Sequence, residues 1–166
     1  MATKDNLKEA FAGESQANRK YLAFAKKAEA EGYPQIAKLF RAAAEAETVH
    51  AHNHLRAMGE IKTTRENLQA AIEGEGFEFK EMYPKFIVEA ERENNTVALT
   101  TFKYANAVED IHYQLYSEAL EKLESGQDLP AGDIYVCGVC GYTIWGEPPE
   151  RCPVCGSVRK VFHSIA

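Results

Sequence analysis

Two Glu-x-x-His pairs, Glu47/His50 and Glu109/His112, recur 62 positions apart in this chain of 166 residues. On a helix, residues three apart lie on one face with their side chains leaning in the same direction, so each pair can offer one carboxylate oxygen and one imidazole nitrogen to a metal ion. Two such pairs at a fixed interval indicate a two-metal site that is built on helices.

The same offset of 62 residues relates many positions outside the two pairs. Residues 7–58 and 69–120 are therefore interpreted as two related helical hairpins, neither of which can bury its apolar stripe alone. Packed together, such hairpins form a four-helix bundle with ligands projecting into its core. The matched positions include three aromatic pairs, Tyr21/Tyr83, Phe24/Phe86 and Phe40/Phe102.

Composition and charge narrow the class of protein. Hydrophobic residues make up 45% of the chain, which is enough for a core, and the formal net charge is −6. No basic face emerges that could neutralise phosphates, so nucleic acid is not expected as a partner. The apolar runs are far shorter than a membrane span, and the N-terminus lacks the apolar segment of a secretory signal. We therefore expect a cytoplasmic protein without a membrane partner.

The first and third predicted helices should each supply a further carboxylate. Glu14 precedes Tyr21 by seven residues, which is about two helical turns, so the two side chains share a face. The offset of 62 would place Gly76 opposite Glu14, and glycine has no side chain. The next acidic residues are Glu78 and Glu81, which would count as a solvated helix face if they stood alone.

Proline interrupts the third predicted helix immediately after these two glutamates. Pro84 cannot donate a hydrogen bond to the carbonyl of Lys80 and clashes with it, which predicts a kink or bulge. Such an irregularity could re-aim Glu78 into the position equivalent to Glu14 and leave Glu81 as an extra ligand. Tyr21 and Tyr83 lie near these carboxylates in the pattern, either as core aromatics or as hydrogen-bond partners of the ligands.

All four cysteines of the chain lie in one constellation near its end. Two Cys-x-x-Cys pairs are separated by eleven residues, a spacing that indicates a tetrahedral metal site rather than disulfides. The spacing leaves iron and zinc open, because structural zinc ribbons use the same arrangement. The four candidate ligands are Cys137, Cys140, Cys152 and Cys155.

With these motifs, the whole chain resembles the rubrerythrins. The resemblance implies a mainly α fold, with a ferritin-like di-iron four-helix bundle at 1–126, a linker at 127–133 and a small rubredoxin-like four-cysteine domain at 134–166. The matching segments are Gly13-Glu14-Ser15, Glu47-Thr48-Val49-His50, the run from Glu78 to Pro84, Glu109-Asp110-Ile111-His112, and the two cysteine pairs with their flanking residues.

The resemblance also assigns roles to the candidate ligands. It implies two iron ions bridged by Glu47 and Glu109, with Glu14 on one ion and Glu78 with His112 on the other. A third iron would be held by the four cysteines, and zinc or manganese could substitute for iron.

His50 and Glu81 are then alternative ligands of the ion that Glu14 holds. When the di-iron pair gains two electrons its positive charge falls, and a neutral imidazole becomes a better match than a carboxylate. We therefore expect Glu81 bound in the oxidised protein and His50 bound in the reduced one.

The implied activity is reduction of hydrogen peroxide to water by a non-haem di-iron peroxidase, with electrons relayed through the four-cysteine iron. An electron-donor protein such as rubredoxin, or an NAD(P)H-dependent reductase, would supply them, which makes the peroxidase indirectly NADH-linked. The alternative is a ferritin-like iron-binding or ferroxidase protein. A zinc ribbon acting only as an interaction module is a third interpretation of the cysteine site.

The position of the linker predicts the assembly. His112 lies fourteen residues before Gly126, about 21 Å of helix rise at roughly 1.5 Å per residue. A tail folded at that end of the helix would sit well away from the di-metal site of its own chain. We therefore expect a homodimer, arranged head to tail or with exchanged helices.

Overall fold

A computed structural model describes residues 2–165 of the chain. The chain divides between Lys62 and Thr63 into two compact units. The first unit is a hairpin of two long helices, α1 (Ala2–Ala30) and α2 (Pro34–Met58). Gly32, with φ +83°, ends α1, because its left-handed backbone lets the next amide, of Tyr33, bond back to the carbonyl of Ala28.

Small residues allow α1 and α2 to pack closely. Asn18, which is buried, bonds from α1 to the carbonyl of Ala44 at 2.7 Å and to Thr48 at 2.8 Å on α2. Because the alanines fill the interface, larger apolar side chains such as Phe24 and Leu39 remain exposed on the hairpin. The buried alanines are Ala25, Ala28, Ala37, Ala44 and Ala51.

The second unit begins with a helical stretch that changes pitch partway. It consists of α3 (Thr64–Phe77), a π-helical turn (Glu78–Met82) and α4 (Tyr83–Arg92). The bulge predicted ahead of Pro84 is therefore confirmed. Thr63 caps α3 through a reciprocal bond pattern with Glu66.

Helix α5 (Thr96–Glu124) packs against α3 and α4 and completes the second hairpin. Its start repeats the turn of the first hairpin, because Asn94 has φ 55° and Asn95 bonds back to Ala90 as Tyr33 does to Ala28.

The internal repeat extends to the packing. In the first hairpin, the rings of Tyr21, Phe24 and Phe40 have centroids 5.6 to 6.3 Å apart. The equivalent rings of the second hairpin, 62 residues later, have centroids 5.5 to 6.3 Å apart. The ion pair of Arg41 with Glu29, at 3.1 Å, likewise recurs as Lys103 with Glu91 at 2.9 Å. The hairpins are structural as well as sequence repeats.

The chain ends in a small antiparallel sheet of order β2-β1-β3, which we call the tail domain. Its strands are β1 (Ile134–Cys137), β2 (Thr143–Trp145) and β3 (Phe162–Ile165). Tyr135 lies opposite Ile144 of β2 and Ser164 of β3. Among residues 2–165, the structure has no helix long and apolar enough to span a membrane.

Candidate metal centres

The first hairpin brings Glu14, Glu47 and His50 together, and we call these residues the first cluster. One potential ligand atom from each lies within 4.8 Å of the others. His50 Nδ1 is 2.9 Å from Glu47 and 3.9 Å from Glu14. Glu14 reaches the group from α1, and the other two share a face of α2 because they are three residues apart. The structure thus brings together the three residues that the sequence indicates for this hairpin.

The carboxylates of the first cluster interact as a close like-charged pair. A hydrogen bond with Glu47, followed by burial and the charge of Glu47, raises the pKa of Glu14. The pKa of Glu47 is lowered, first by its hydrogen bond with His50 and then by that with Glu14. A cation between the two oxygens would replace the proton that this pair otherwise shares.

The second hairpin has an equivalent group, Glu75, Glu109 and His112, which we call the second cluster. Its potential ligand atoms also lie within 4.8 Å of one another. His112 Nδ1 is 2.8 Å from Glu109 and 3.8 Å from Glu75, which nearly repeats the distances of the first cluster. Burial, followed by the charge of Glu109, raises the pKa of Glu75 to about 7.

Glu75 was missed in the sequence, and it occupies the place predicted for Glu78. Glu78 lies beside the second cluster rather than in it, at the start of the π-helical turn. Its pKa is raised by burial and then by the charge of Glu109, and its own charge contributes to the raised pKa of Glu75. The second cluster therefore has a neighbouring surplus carboxylate, which is Glu78.

The prediction that Glu81 is the surplus ligand is not supported by its surroundings. Its side chain is 61% exposed, and its ion-pair partner is Lys85 at 3.9 Å. Glu81 comes one helical turn after Glu78, in the part of the π-helical turn that faces solvent. The expected exchange between Glu81 and His50 stays a prediction, which these surroundings of Glu81 do not support.

A dipeptide repeat could have identified Glu75. Gly13-Glu14 recurs as Gly74-Glu75 at an offset of 61, one residue short of the main repeat. Seven residues separate Glu14 from Tyr21, whereas eight separate Glu75 from Tyr83. The π-helical turn absorbs the extra residue, because it lengthens one turn without changing the phase of the helix on either side.

The two predicted tyrosines have different surroundings. The pKa of Tyr83 is raised by burial and then by the charges of Glu78, Glu109 and Glu75, so its hydroxyl lies near the second cluster. Tyr21 lies in the aromatic group of the first hairpin. Tyr116, which was not predicted, is also near the second cluster, since its ring centroid is 6.5 Å from that of His112.

The four cysteines converge as predicted, and we call them the thiolate site. Cys137 Sγ is 3.7 Å from Cys155 Sγ, and Cys140 Sγ is 3.5 Å from Cys152 Sγ. These distances are far too long for disulfides. They are close to the edge, about 3.8 Å, of a tetrahedron with metal–sulfur bonds of about 2.3 Å. The geometry therefore fits one tetrahedral ion.

The surroundings of the thiolate site combine burial with stabilisation of negative charge. Burial is the main cause that raises the pKa of Cys140, opposed by a hydrogen bond from the backbone N–H of Tyr142. Burial also acts to raise the pKa of Cys155, but hydrogen bonds with the side chain and backbone of Ser157 help lower it to about 6. Such bonds stabilise a metal-bound thiolate.

The tail domain lies against the second cluster of its own chain. Thr143 Oγ1, on β2, is 2.9 Å from His112 Nε2, on α5. A Cβ built on Gly141 would lie only 3.7 Å from Val108 of the same helix. The expectation of a tail well away from its own di-metal ligands is therefore wrong. It assumed that the tail stays at the end of α5, but the residues between Ser125 and Asp133 can span up to about 30 Å and run back along the helix.

The donor sets suit iron at all of these positions. Carboxylate and imidazole ligands on facing helices are the ligand set of di-iron and di-manganese carboxylate proteins. Four thiolates with tetrahedral spacing suit iron or zinc. The two clusters and the thiolate site thus provide the ligands of the predicted di-iron centre and rubredoxin-type iron.

Comparisons with known proteins agree with this assignment. A family model described as rubrerythrin matches residues 5–120, and one for the rubrerythrin rubredoxin-like domain matches residues 135–163. The chain is 36% identical to rubrerythrin-2 of Clostridium acetobutylicum, over 98% of this chain and 96% of that protein. It is 35% identical to nigerythrin of Nitratidesulfovibrio vulgaris, over 97% and 85% of the two chains.

The fold is also similar to a solved structure. Nigerythrin in a mixed-valence state matches with a TM-score of 0.58 and 34% identity, over 98% of this chain and 86% of that one. These matches confirm the predicted fold class, a mainly helical ferritin-like domain followed by a rubredoxin-like domain. The chain belongs to the rubrerythrin family.

Proposed function

We propose that this protein is a non-haem di-iron peroxidase that reduces hydrogen peroxide to water, with electrons entering through the thiolate site. The observation that carries the proposal is the hydrogen bond between Thr143 and His112, which places the tail domain beside the second cluster. An iron-storing or ferroxidase protein would need the clusters but would have no use for a redox domain at that position.

The reaction requires two electrons and two protons: H₂O₂ + 2 H⁺ + 2 e⁻ → 2 H₂O. Iron held by the two clusters supplies the two electrons when reduced. Glu14 and Glu47 with His50 would hold one ion and Glu75 and Glu109 with His112 the other, with Glu47 and Glu109 as the carboxylates that the two ions would share. The four cysteines would hold one ion that can supply a single electron at a time, so each turnover would need two deliveries.

Glu78 has a separate role in this proposal. Its carboxylate lies beside the second cluster, where burial and then repulsion by the charge of Glu109 raise its pKa and disfavour a further negative charge. More positive charge at the centre would offset that repulsion, so Glu78 is best suited to bind when the ions are oxidised. The related nigerythrin has been solved in partially reduced and all-ferrous states, which supports a centre that changes oxidation state.

The electron donor is a rubredoxin or an NAD(P)H-dependent reductase, which makes the activity NADH-linked only indirectly. We place the reaction in the cytoplasm, where reducing conditions keep four unpaired cysteines available for a metal.

We further propose a homodimer with exchanged helices, in which the first hairpin of one copy packs against the second hairpin of another. Exposed apolar side chains on both hairpins support this arrangement, including Leu39 at 68% and Val88 at 66% exposure. The two hairpins are repeats, so each presents a face of the kind that the other must cover.

Steady-state peroxide consumption with NADH, a reductase and rubredoxin tests the activity. We expect turnover to continue far beyond one peroxide per di-iron pair, and to stop in protein whose clusters hold zinc. Turnover that ends after stoichiometric oxidation of the bound iron, with donor still present, would favour the ferroxidase alternative. A tail domain that binds zinc and lacks visible absorption would support the zinc-ribbon interpretation instead.

A further inference from the structure

The two histidines of the repeat have different surroundings. His50 is 53% exposed, and within the described part of the first hairpin its Nε2 has no hydrogen-bond partner. His112 is 27% exposed, and both of its ring nitrogens are engaged. Nδ1 faces Glu109 at 2.8 Å, and Nε2 faces Thr143 Oγ1 at 2.9 Å.

The hydroxyl of Thr143 determines the direction of its bond to the imidazole. Thr143 Oγ1 also lies 3.0 Å from the carbonyl oxygen of Gly141, which can only accept a hydrogen bond. A threonine hydroxyl has one proton, so when it donates to Gly141 it must accept from His112. The Nε2 proton of His112 therefore points to Thr143. Nδ1 lies 2.8 Å from Glu109 and is the nitrogen that a metal would bind in place of the proton it shares with that carboxylate.

The tautomer with its proton on Nε2 is the one that the second cluster needs. A metal held with Glu109 and Glu75 would bind His112 through Nδ1, which requires an unprotonated Nδ1 and a fixed ring. Partners of this kind commonly raise metal affinity about 10- to 100-fold. In the first hairpin His50 lacks such a restraint.

We propose that Thr143 is a positioning residue for the second cluster. It fixes the tautomer and ring orientation of His112 from strand β2 of the tail domain. The domain that carries the thiolate site thereby affects how strongly a ligand of the di-metal centre binds metal. Thr143 is the third residue after Cys140, so the same short loop serves both metal sites. The proposal rests on the assignment of the second cluster as a metal site and does not depend on peroxidase activity.

The test compares T143V, which keeps the shape and removes the hydroxyl, with T143S, which keeps the hydroxyl. Valine suits a strand, so T143V should fold. The matched control is T100V, because Thr100 lies on α5 with its hydroxyl bonded only to the carbonyl of Thr96, at 2.9 Å. One equivalent of zinc is added first, because thiolates bind it ahead of the carboxylate–histidine clusters.

The first readout is the tautomer of His112, measured by ¹⁵N NMR on the zinc-loaded protein with empty clusters. An H112Q variant assigns the signals. We expect the Nε2-protonated form in wild type, T143S and T100V, and a mixture of tautomers in T143V. The second readout is Co²⁺ titration of the clusters by visible absorption, in which T143V should weaken one of the two binding steps about tenfold.

Two outcomes would overturn the proposal. One is a T143V protein with the wild-type tautomer and wild-type Co²⁺ affinity, and the other is a T143S protein as impaired as T143V. If T143V fails to fold, as judged by loss of the visible absorption of an iron-loaded thiolate site, T143A tests the same bond with the same readouts. Loss of peroxidase activity alone would bear on the proposed function and not on this inference.

Discussion

Glu75, Glu78 and Glu81 follow one another at intervals of three residues, yet the structure gives them three different environments. Glu75 is 21% exposed and lies in the second cluster, Glu78 lies beside it, and Glu81 is 61% exposed and paired with Lys85. Chemical identity therefore does not decide which of these carboxylates binds metal. The helical phase at each position does.

Substitution of these glutamates separates a ligand from a solvated carboxylate. We expect E75Q to weaken metal binding at the second cluster by at least about tenfold, because it replaces a charged oxygen ligand with a neutral amide. E81Q should bind two metals per bundle with nearly wild-type affinity, since its carboxylate is solvated. Elemental analysis and Co²⁺ titration measure both. If E75Q bound two metals normally and E81Q bound fewer, Glu81 rather than Glu75 would be the metal ligand.

Local spacing predicts ligands well, whereas long-range register does not. Glu47 with His50, and Glu109 with His112, come together in the structure because residues three apart on a helix share a face whatever the rest of the fold does. Glu75 was missed because the offset of 62 was carried through the π-helical turn, where one extra residue shifts the repeat. Pro84 predicted the bulge but not the residue that it brings into register.

At the scale of the element, Asn18 joins the two helices of the first hairpin. Its amide donates to the carbonyl of Ala44 and to Thr48, one turn away from the first cluster. N18D would place a carboxylate against that carbonyl, and leaving a buried charged group without a donor costs more than about 3 kcal/mol.

Denaturant unfolding of N18D should therefore show a large loss of stability. N53D is the matched control, because the exposed side-chain oxygen of Asn53 accepts from Arg56 at 2.9 Å, and aspartate can do the same. We expect its free energy of unfolding to change by less than about 0.5 kcal/mol. Equal effects of the two substitutions would indicate that Asn18 does not hold the helices together.

Loss of the metal at the thiolate site should leave the metals of the two clusters in place. Cys137 is 1% exposed. In C137S, the tail iron should be lost with its visible absorption, while both clusters keep their metals. Donor-dependent peroxide turnover should fall at least about tenfold, although peroxide should still oxidise reduced clusters once. S157T, which keeps a hydroxyl beside Cys155, serves as a control that retains colour and turnover. Unchanged donor-dependent turnover in C137S would exclude the tail as the electron entry point.

The ends of the elements follow from local chemistry, but the position of the tail does not. The turns at Gly32 and Asn94 and the cap of α3 each depend on a few neighbouring residues. The tail was expected far from His112, because helix rise was counted and the returning path of the linker was not. That path depends on contacts such as Thr143 with His112, which join residues 31 positions apart.

At the scale of the whole molecule, the internal repeat divides the ligands equally. Each hairpin contributes two glutamates and one histidine, and a di-metal centre needs two such sets. The sets can come from one chain or from two copies that exchange hairpins. The proposed homodimer takes the second route, and the apolar side chains exposed on both hairpins are the reason for proposing it.

Complementation between two inactive variants distinguishes these arrangements. One variant, E47Q/H50Q, loses the ligands of the first cluster, and the other, E109Q/H112Q, loses those of the second. If each centre formed within one chain, every centre in a mixed dimer would contain one damaged cluster. With exchanged hairpins, one of the two centres in a mixed dimer combines both intact clusters and the other combines both damaged ones.

We therefore expect the variants to be inactive alone and to regain activity when unfolded and refolded together. Random pairing makes half of the dimers mixed, and each mixed dimer has one working centre of two, so the mixture should recover about a quarter of wild-type peroxidase activity. The E47Q/H50Q variant refolded with itself is the control for spontaneous recovery. Metal content should rise in parallel, because only the intact pair of clusters binds two ions tightly. A refolded mixture that forms dimers but stays inactive would show that each centre is built within a single chain.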